Sequence, residues 1–407
     1  MNLFLFTLES VASMIVDPLF ISLLILMGII LFFNNKKLTI MQKMVIGNSI
    51  NSALELTLSQ IVLGIVAGAI TSLILNSLGV VFNKNVGIVI LILFSISLVF
   101  SKNRFLGISY TASILGAASL IFSKIIEVNI GSLFTFVGVI NIVNGILVII
   151  DGDKGSIPVF SSKDGTIRGG YLFGRCWPLS IVFLMTYQNI ITNNLAQNIN
   201  MPNWWPILRN ISNLNTIENM TLVLFPMVCV VGYSSVTFRM TKKEKVASSG
   251  IIMMLNGIFT IAIAQLNFLG SLGEIIIILI VPIINEILYQ VDIHKEDRKT
   301  PIFVSDEKGI SVLDVIPNSI ADNTGINPGD RIISIEDKKV ASDKEVYSLL
   351  KTNVQNLKIK IIDRDKNIKE LIYKYEEENF LGMILVPKEI SSNKIVNFNK
   401  IKIKGFS

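Results

Sequence analysis

The sequence predicts a polytopic all-α membrane domain followed by a small α+β domain. Hydrophobic residues make up 51% of the 407 residues and charged residues only 16%, which is far from the composition of an average soluble domain. Acidic residues are few before Gln290, whereas charges of both signs become dense from Lys295 onward. This change predicts a membrane domain over residues 1–293, a linker over 294–302, an α+β domain over 303–390 and a basic tail over 391–407.

Apolar runs of about 17 to 25 residues recur along the first domain, each long enough to cross a hydrocarbon core of about 30 Å. They predict about eight or nine transmembrane helices, near residues 17–33, 56–80, 86–101, 105–123, 127–150, 177–194, 220–237, 247–266 and 273–290. The stretch Met1–Val16 is short for a span and contains Glu9, so it fits either an interfacial helix or a further crossing.

Lysine and arginine are concentrated in alternate loops between these runs. The richer loops hold Lys36, Lys37 and Lys43, then Lys102 and Arg104, then Lys154, Lys163, Arg168 and Arg175, and finally Arg239, Lys242, Lys243 and Lys245. The poorer loops hold Lys84, Lys124 and Arg209. Because loops rich in Lys and Arg stay in the cytoplasm, the asymmetry predicts a multi-pass protein of the cell membrane whose α+β domain is cytoplasmic.

Histidine usage bears on whether the membrane domain is an enzyme. The chain has one histidine, His294, whereas a zinc site of the H-E-x-x-H kind needs two histidines one helical turn apart. A Ser–His dyad is disfavoured because His294 lies in a charged joint, and no two aspartates lie well inside a span as an intramembrane aspartyl protease requires. The two cysteines have no metal-ligand spacing. The sequence therefore predicts no enzyme, no catalytic residue, no metal and no cofactor.

Two polar positions of the membrane domain have alternative interpretations. The run Ile149–Gly152 is predicted to be a span that ends in a polar turn at Asp151, because no histidine pair accompanies it. Glu286 is the deepest ionisable residue of the apolar runs, and such residues mark transport paths as well as hydrogen bonds between helices. A membrane transporter therefore remains an alternative function.

Turn and cap residues define the elements of the α+β domain. Residues 309–316 are rich in branched side chains and predict a strand, after which Ser319 can cap a short helix Ile320–Asn323 that ends at Gly325. Pro328-Gly329-Asp330 predicts a tight turn into a strand Arg331–Glu336. A helix that begins at Ser342 or Asp343 and ends at Lys351, and a hairpin of residues 357–363 and 368–375, complete the pattern.

Phe380-Leu381-Gly382-Met383 precedes an apolar strand that begins at Ile384. This arrangement resembles the carboxylate-binding loop of PDZ domains, in which backbone N–H groups converge on the terminal carboxylate of a peptide and the next strand offers an open edge. Its position after the hairpin implies a circularly permuted, PDZ-like domain. The second wall of the peptide groove would then be the helix that bears Asp343, Tyr347 and Leu350. The alternative is that Leu-Gly-Met is only a turn, and that the groove is closed or used internally.

The whole layout is similar to that of the MinJ-like family of cell-division topological determinants. The resemblance rests on Asp17-Pro18-Leu19-Phe20, Asp151-Gly152, Trp177-Pro178 and Leu381-Gly382-Met383-Ile384-Leu385-Val386-Pro387, in that order. It implies a Gram-positive membrane adaptor, enriched at the septum and poles, that recruits and positions DivIVA-like, MinD-like and membrane division proteins through its PDZ domain.

The residues alone do not restrict the partners to division proteins. The expected ones are peptide C-termini and the lipid bilayer, with no nucleic acid, and the basic tail with Lys394, Lys400, Lys402 and Lys404 fits either anionic lipid or water. A protease-accessory protein that captures peptide tails is a further alternative, which would require a separate catalytic subunit.

Overall fold

The computed structural model describes residues 3–46, 50–83, 108–122, 128–163, 166–187, 202–208, 221–298, 300–350, 357–373 and 382–388. The predicted span near 86–101, the loop residues Phe380 and Leu381 and the basic tail 391–407 lie outside these ranges.

Helices build most of the amino-terminal part. They are α1 (Leu3–Val16), α2 (Pro18–Ile46), α3 (Ala53–Leu78), α4 (Ile108–Ile121), α5 (Ile130–Asp151), α6 (Lys242–Ala264) and α7 (Ser271–Asp297). Among the described residues, five helices are long and apolar enough to cross a membrane, namely α2, α3, α5, α6 with the turn that follows it, and α7. Helix α7 continues to Asp297, so the predicted linker begins inside it.

The prediction of helices near 177–194 and 220–237 is wrong, because both stretches contribute to long β-strands. Strand β3 (Thr166–Tyr187) pairs antiparallel with β4 (Thr221–Thr237) without interruption from Tyr171↔Thr237 to Tyr187↔Thr221. A continuous apolar run fits a buried strand as well as a helix, and these runs are rich in branched and aromatic residues that favour strands. The first domain is therefore not all-α.

Two short strands complete this sheet, and helix α3 covers it closely. Strand β1 (Val81–Asn83) pairs with the far end of β3, and β2 (Ile157–Lys163) pairs with its beginning. A Cβ at Gly68 of α3 would lie 2.3 Å from the carbonyl oxygen of Ser180 in β3. Small residues let backbones approach in this way at helix interfaces in membranes.

Helix α5 ends at Asp151, as predicted, and the Gly152 N–H closes its last turn on the Val148 carbonyl at 2.9 Å. The Asp151 carboxylate is fully buried. It accepts hydrogen bonds from Arg175 Nε at 3.0 Å and from Trp177 Nε1 at 2.9 Å. A buried charge is tolerated when it is paired and hydrogen-bonded in this way.

The carboxy-terminal domain has the elements that the sequence predicts. They are β5 (Ile310–Val315), α8 (Ile320–Asn323), β6 (Arg331–Ile335), β7 (Lys338–Lys339), α9 (Asp343–Leu350), β8 (Leu357–Ile362), β9 (Ile368–Tyr373) and β10 (Met383–Leu385). The strand order is β10-β5-β6-β8-β9, with β7 beside β6. Ser319 caps α8 as expected, since its Oγ accepts the Asp322 N–H at 3.3 Å.

The carboxy-terminal domain packs directly on the β2–β3 hairpin. The Gly169 N–H donates to the Phe303 carbonyl at 2.9 Å, the Tyr171 hydroxyl donates to the Leu313 carbonyl, and Lys242 forms an ion pair with Asp314. Leu313 belongs to the core of the first domain, whereas its neighbour Val312 belongs to the core of the second. Strand β5 is thus buried on both faces and joins the two domains.

Candidate functional site

Strand β10 lies at the edge of the carboxy-terminal sheet. Its Gly382 carbonyl accepts the Ile316 N–H at 2.7 Å, and the Val386 N–H donates to the Ser311 carbonyl at 2.9 Å, so the backbone groups of Gly382 and Val386 point toward β5. The backbone groups of Met383 and Leu385 point the opposite way, toward helix α9. The gap between β10 and α9 is therefore the candidate peptide groove.

The hydroxyl of Tyr347 fills the middle of this groove. It donates to the Met383 carbonyl at 3.2 Å and accepts from the Leu385 N–H at 3.1 Å. These two backbone groups are the ones that a peptide would pair with if it extended the sheet at β10. Tyr347 thus occupies the position of a ligand backbone.

Burial raises the pKa of the Tyr347 phenol, and the nearby Asp343 carboxylate raises it further, whereas the Leu385 N–H acts in the opposite direction. The phenol is therefore neutral at pH 7, and its hydroxyl can donate a hydrogen bond to the Met383 carbonyl. Asp343 is the first residue of α9, whose N-terminal cap is the Ser342 Oγ that accepts the Glu345 N–H at 3.2 Å.

The other predicted groove residues divide between the two faces of β10. Met383 and Leu350 are buried in the core of the carboxy-terminal domain, beneath the groove. Ile384 points to the opposite face and packs in the cluster that contains Phe303 and Leu313, next to the β2–β3 hairpin. The Ile384 side chain therefore lies away from the groove. The N–H that faces Tyr347 belongs instead to Leu385, which is not among the predicted groove residues.

Gly382 directly precedes β10 and has φ +71°, a conformation that favours glycine. A Cβ at this position would lie 2.0 Å from Ser319 Cβ, so space also requires a glycine. Packing against the start of α8 therefore requires glycine at position 382, independently of any ligand in the groove.

Within the described ranges, no group of three or more His, Cys, Asp or Glu side chains could hold a metal ion. Glu286 of α7 accepts hydrogen bonds from the Tyr110 hydroxyl of α4 at 3.0 Å and from Gln290 Nε2 at 2.7 Å. Its carboxylate thus links two helices.

The strand order, the edge strand and the facing helix are consistent with a class of domain that generally binds peptide C-termini or partner proteins. Residues 311–362 match the family model of the PDZ domain, so the chain contains a PDZ domain. The matched range holds β5, β6, α9 and β8 but stops before β10, so the match covers one wall of the groove and leaves out the other. A search of curated proteins gave no match to the chain.

Proposed function

We propose that this chain is a non-enzymatic membrane adaptor whose PDZ domain captures the C-terminal segment of a partner protein. The observation that carries the proposal is the pair of β10 backbone groups, Met383 C=O and Leu385 N–H, that face the groove and are satisfied only by the Tyr347 hydroxyl within the described part of the chain. A peptide strand that displaces the hydroxyl would replace both hydrogen bonds. PDZ domains generally serve protein–protein interaction in this way.

The order of strands supports a circularly permuted version of the domain. The strand that presents the groove, β10, is the last in sequence and lies beside the first, β5. Gly382, at φ +71°, directly precedes β10, where the resemblance to PDZ domains implies a loop of converging N–H groups.

A membrane location with the PDZ domain in the cytoplasm is supported by where the basic loops lie. Gln42, next to Lys43 in α2, donates to the Ser156 carbonyl at 2.8 Å, close to the basic stretch that begins at Lys154. Lys242, in the last basic cluster, pairs with Asp314 of the PDZ domain. Three basic clusters therefore gather at the end that carries the PDZ domain, as expected if that end faces the cytoplasm.

The proposal is tested with the full chain in lipid nanodiscs and a displayed library of random peptides with free C-termini. A selected peptide is then synthesised as the acid and as the amide. We expect the acid to bind at least about tenfold more tightly, because the amide loses a charge-assisted interaction of more than about 1.4 kcal/mol. Equal affinities, or a library from which no peptide is enriched, would contradict capture of C-termini.

The resemblance to the MinJ-like family gives the proposal its specific form, which is recruitment of DivIVA-like and MinD-like division proteins to the septum and poles. Its test is imaging of a fluorescent fusion, with and without residues 303–390, in dividing cells. We expect septal and polar enrichment that depends on the PDZ domain. Uniform membrane signal with normally placed septa would reject the division role and leave the peptide-capture proposal to the binding assay.

A further inference from the structure

The face of β10 that lies away from the groove is buried against the first domain. Ile384 and Val386 are 5% and 0% exposed, and both belong to the core cluster of the first domain, which includes Tyr171 of the β2–β3 hairpin. The fit is close, because a Cβ at Gly169 of this hairpin would lie 2.9 Å from Val386 Cγ2. The hairpin thus leaves no room for an added methyl group behind the end of β10.

Strand β10 has few other contacts that hold it in place. It is three residues long, whereas strands average about 5–6 residues. Its ladder with β5 also shifts register between Ile384 and Leu385. Because short, irregular elements with few contacts open most easily, the position of β10 depends on the packing behind it.

An ion pair holds the strand next to β10. Lys242, the first residue of α6, pairs with Asp314 of β5, whose side chain is 4% exposed and whose backbone lies opposite Ile384 in the ladder. The Lys242 ammonium also lies 5.1 Å from the centre of the Tyr171 ring, within the range of a cation–π contact. Loss of Lys242 would leave the buried Asp314 carboxylate without this partner, at the point where β5 supports β10.

We infer that Gly169, Tyr171 and Lys242 of the first domain are positioning residues of the peptide groove, which hold β5 and β10 so that a peptide can add to β10. This role rests on the proposed capture of C-terminal segments. If β10 is loosened, a peptide must order the strand as it binds, and its affinity falls. Because coupling of two equilibria is reciprocal, a bound peptide must in turn stabilise the contact between the hairpin and the PDZ domain.

The first test is the affinity of the full chain in nanodiscs for one peptide selected from the displayed library. Lys242→Met should weaken binding at least about threefold, and Lys243→Met, which removes the same charge from an exposed neighbour, should change it less than about twofold. Gly169→Ala, which displaces Val386, should also weaken binding. Its matched control is Gly174→Ala, because a Cβ there has no neighbour within 4 Å among the described residues.

Hydrogen exchange separates positioning from a general loss of stability. The Gly169 N–H donates to the Phe303 carbonyl at 2.9 Å, and the Val386 N–H donates to the Ser311 carbonyl at 2.9 Å. Saturating peptide should slow exchange of both amides in the wild type, although Gly169 lies on the far side of β10 from the groove. Without peptide, Lys242→Met should speed exchange at Val386 and leave the amides of the β6–β8 ladder unchanged, which shows that the domain remains folded.

The positioning role is rejected if Lys242→Met and Gly169→Ala bind the peptide as the wild type does, or if Lys243→Met weakens binding as much as Lys242→Met. It is also rejected if saturating peptide leaves exchange at Gly169 unchanged. A wild-type protein that binds no selected peptide would instead reject the proposed function, and the positioning role with it.

Discussion

The hydroxyl oxygen of Tyr347 lies 3.1 Å from the backbone nitrogen of Leu385, although the two residues are 38 positions apart in the chain. This contact places a side chain of helix α9 on the edge strand of the PDZ domain, where a bound peptide would lie. A peptide that binds here as proposed must therefore compete with the Tyr347 hydroxyl for the Met383 and Leu385 backbone groups.

The opposite face of the same strand connects the groove to the membrane domain. Ile384 and Val386 pack with Phe303 and Leu313, beside the hairpin that carries Tyr171. The edge strand is thus fixed from behind by the first domain, which makes the PDZ domain part of a larger body.

Replacement of Arg175 is expected to destabilise the first domain. Arg175→Met leaves the buried Asp151 carboxylate with only Lys154, 3.0 Å away and half-exposed, as a cationic partner, and breaking a buried pair on one side costs up to about 3–5 kcal/mol. We expect a large fall in the thermal unfolding midpoint in nanodiscs. Asp151→Asn combined with Arg175→Met removes both charges and keeps an acceptor for Trp177 Nε1, so it should recover much of the loss. A double variant no more stable than the single one would show that the charge is not the cause.

Gly68→Ala is expected to disturb the packing of α3 on β3. The new methyl group would lie 2.3 Å from the Ser180 carbonyl oxygen, so backbones must move, at a cost of about 1–3 kcal/mol. Gly174→Ala is the matched control, because a Cβ there has no neighbour within 4 Å among the described residues. Thermal unfolding should be lowered by the first change and nearly unaffected by the second. Equal midpoints would argue against close packing of α3 on the strand.

Asp330 is expected to make the stability of the carboxy-terminal domain depend on pH. Its carboxylate is 3% exposed and accepts the Asn327 N–H at 2.8 Å, and burial raises its pKa. Because the pKa of Asp330 is higher in the folded state, folding favours its protonated form. The Asp330 carboxyl therefore stabilises the fold below its unfolded-state pKa of about 3.9, and this contribution is lost as the pH rises through its folded-state pKa.

Asp330→Asn keeps the acceptor without the charge. At pH 7 its unfolding midpoint should therefore equal or exceed that of the wild type, and the difference should shrink at pH 3.5. A variant that is less stable at pH 7 and recovers at pH 3.5 would contradict the assignment.

Local signals were sufficient for most of the PDZ domain. Ser319 has a side chain that caps a helix, Gly325 and Gly329 adopt positive φ at the predicted turns, and the strands alternate around them. Each of these features depends on neighbours in sequence, so the residues alone predict them.

The first domain shows what local signals cannot decide. The apolar runs that contain Pro178 and Pro226 satisfy the length and hydropathy of a membrane helix, yet they pair with each other as strands. Strand formation here depends on the pairing register between β3 and β4, which are distant in sequence, and on small residues of α3 that let this helix pack closely on β3. In the same way, Tyr347 could be assigned to the groove wall from its helix, but its contact with Leu385 depends on tertiary structure.

Peptide binding by strand addition to β10, as proposed, competes with the Tyr347 hydroxyl. Its most direct test is the affinity of the full chain for one selected C-terminal peptide, measured for the wild type and for Tyr347→Phe. The phenylalanine keeps the ring and removes the competing hydroxyl, whose hydrogen bonds contribute about 0.5–1.5 kcal/mol each. Two such bonds total at least about 1 kcal/mol, so we predict at least about fivefold tighter binding for Tyr347→Phe. Unchanged or weaker binding, with the fold intact, would contradict competition between the peptide and the Tyr347 hydroxyl.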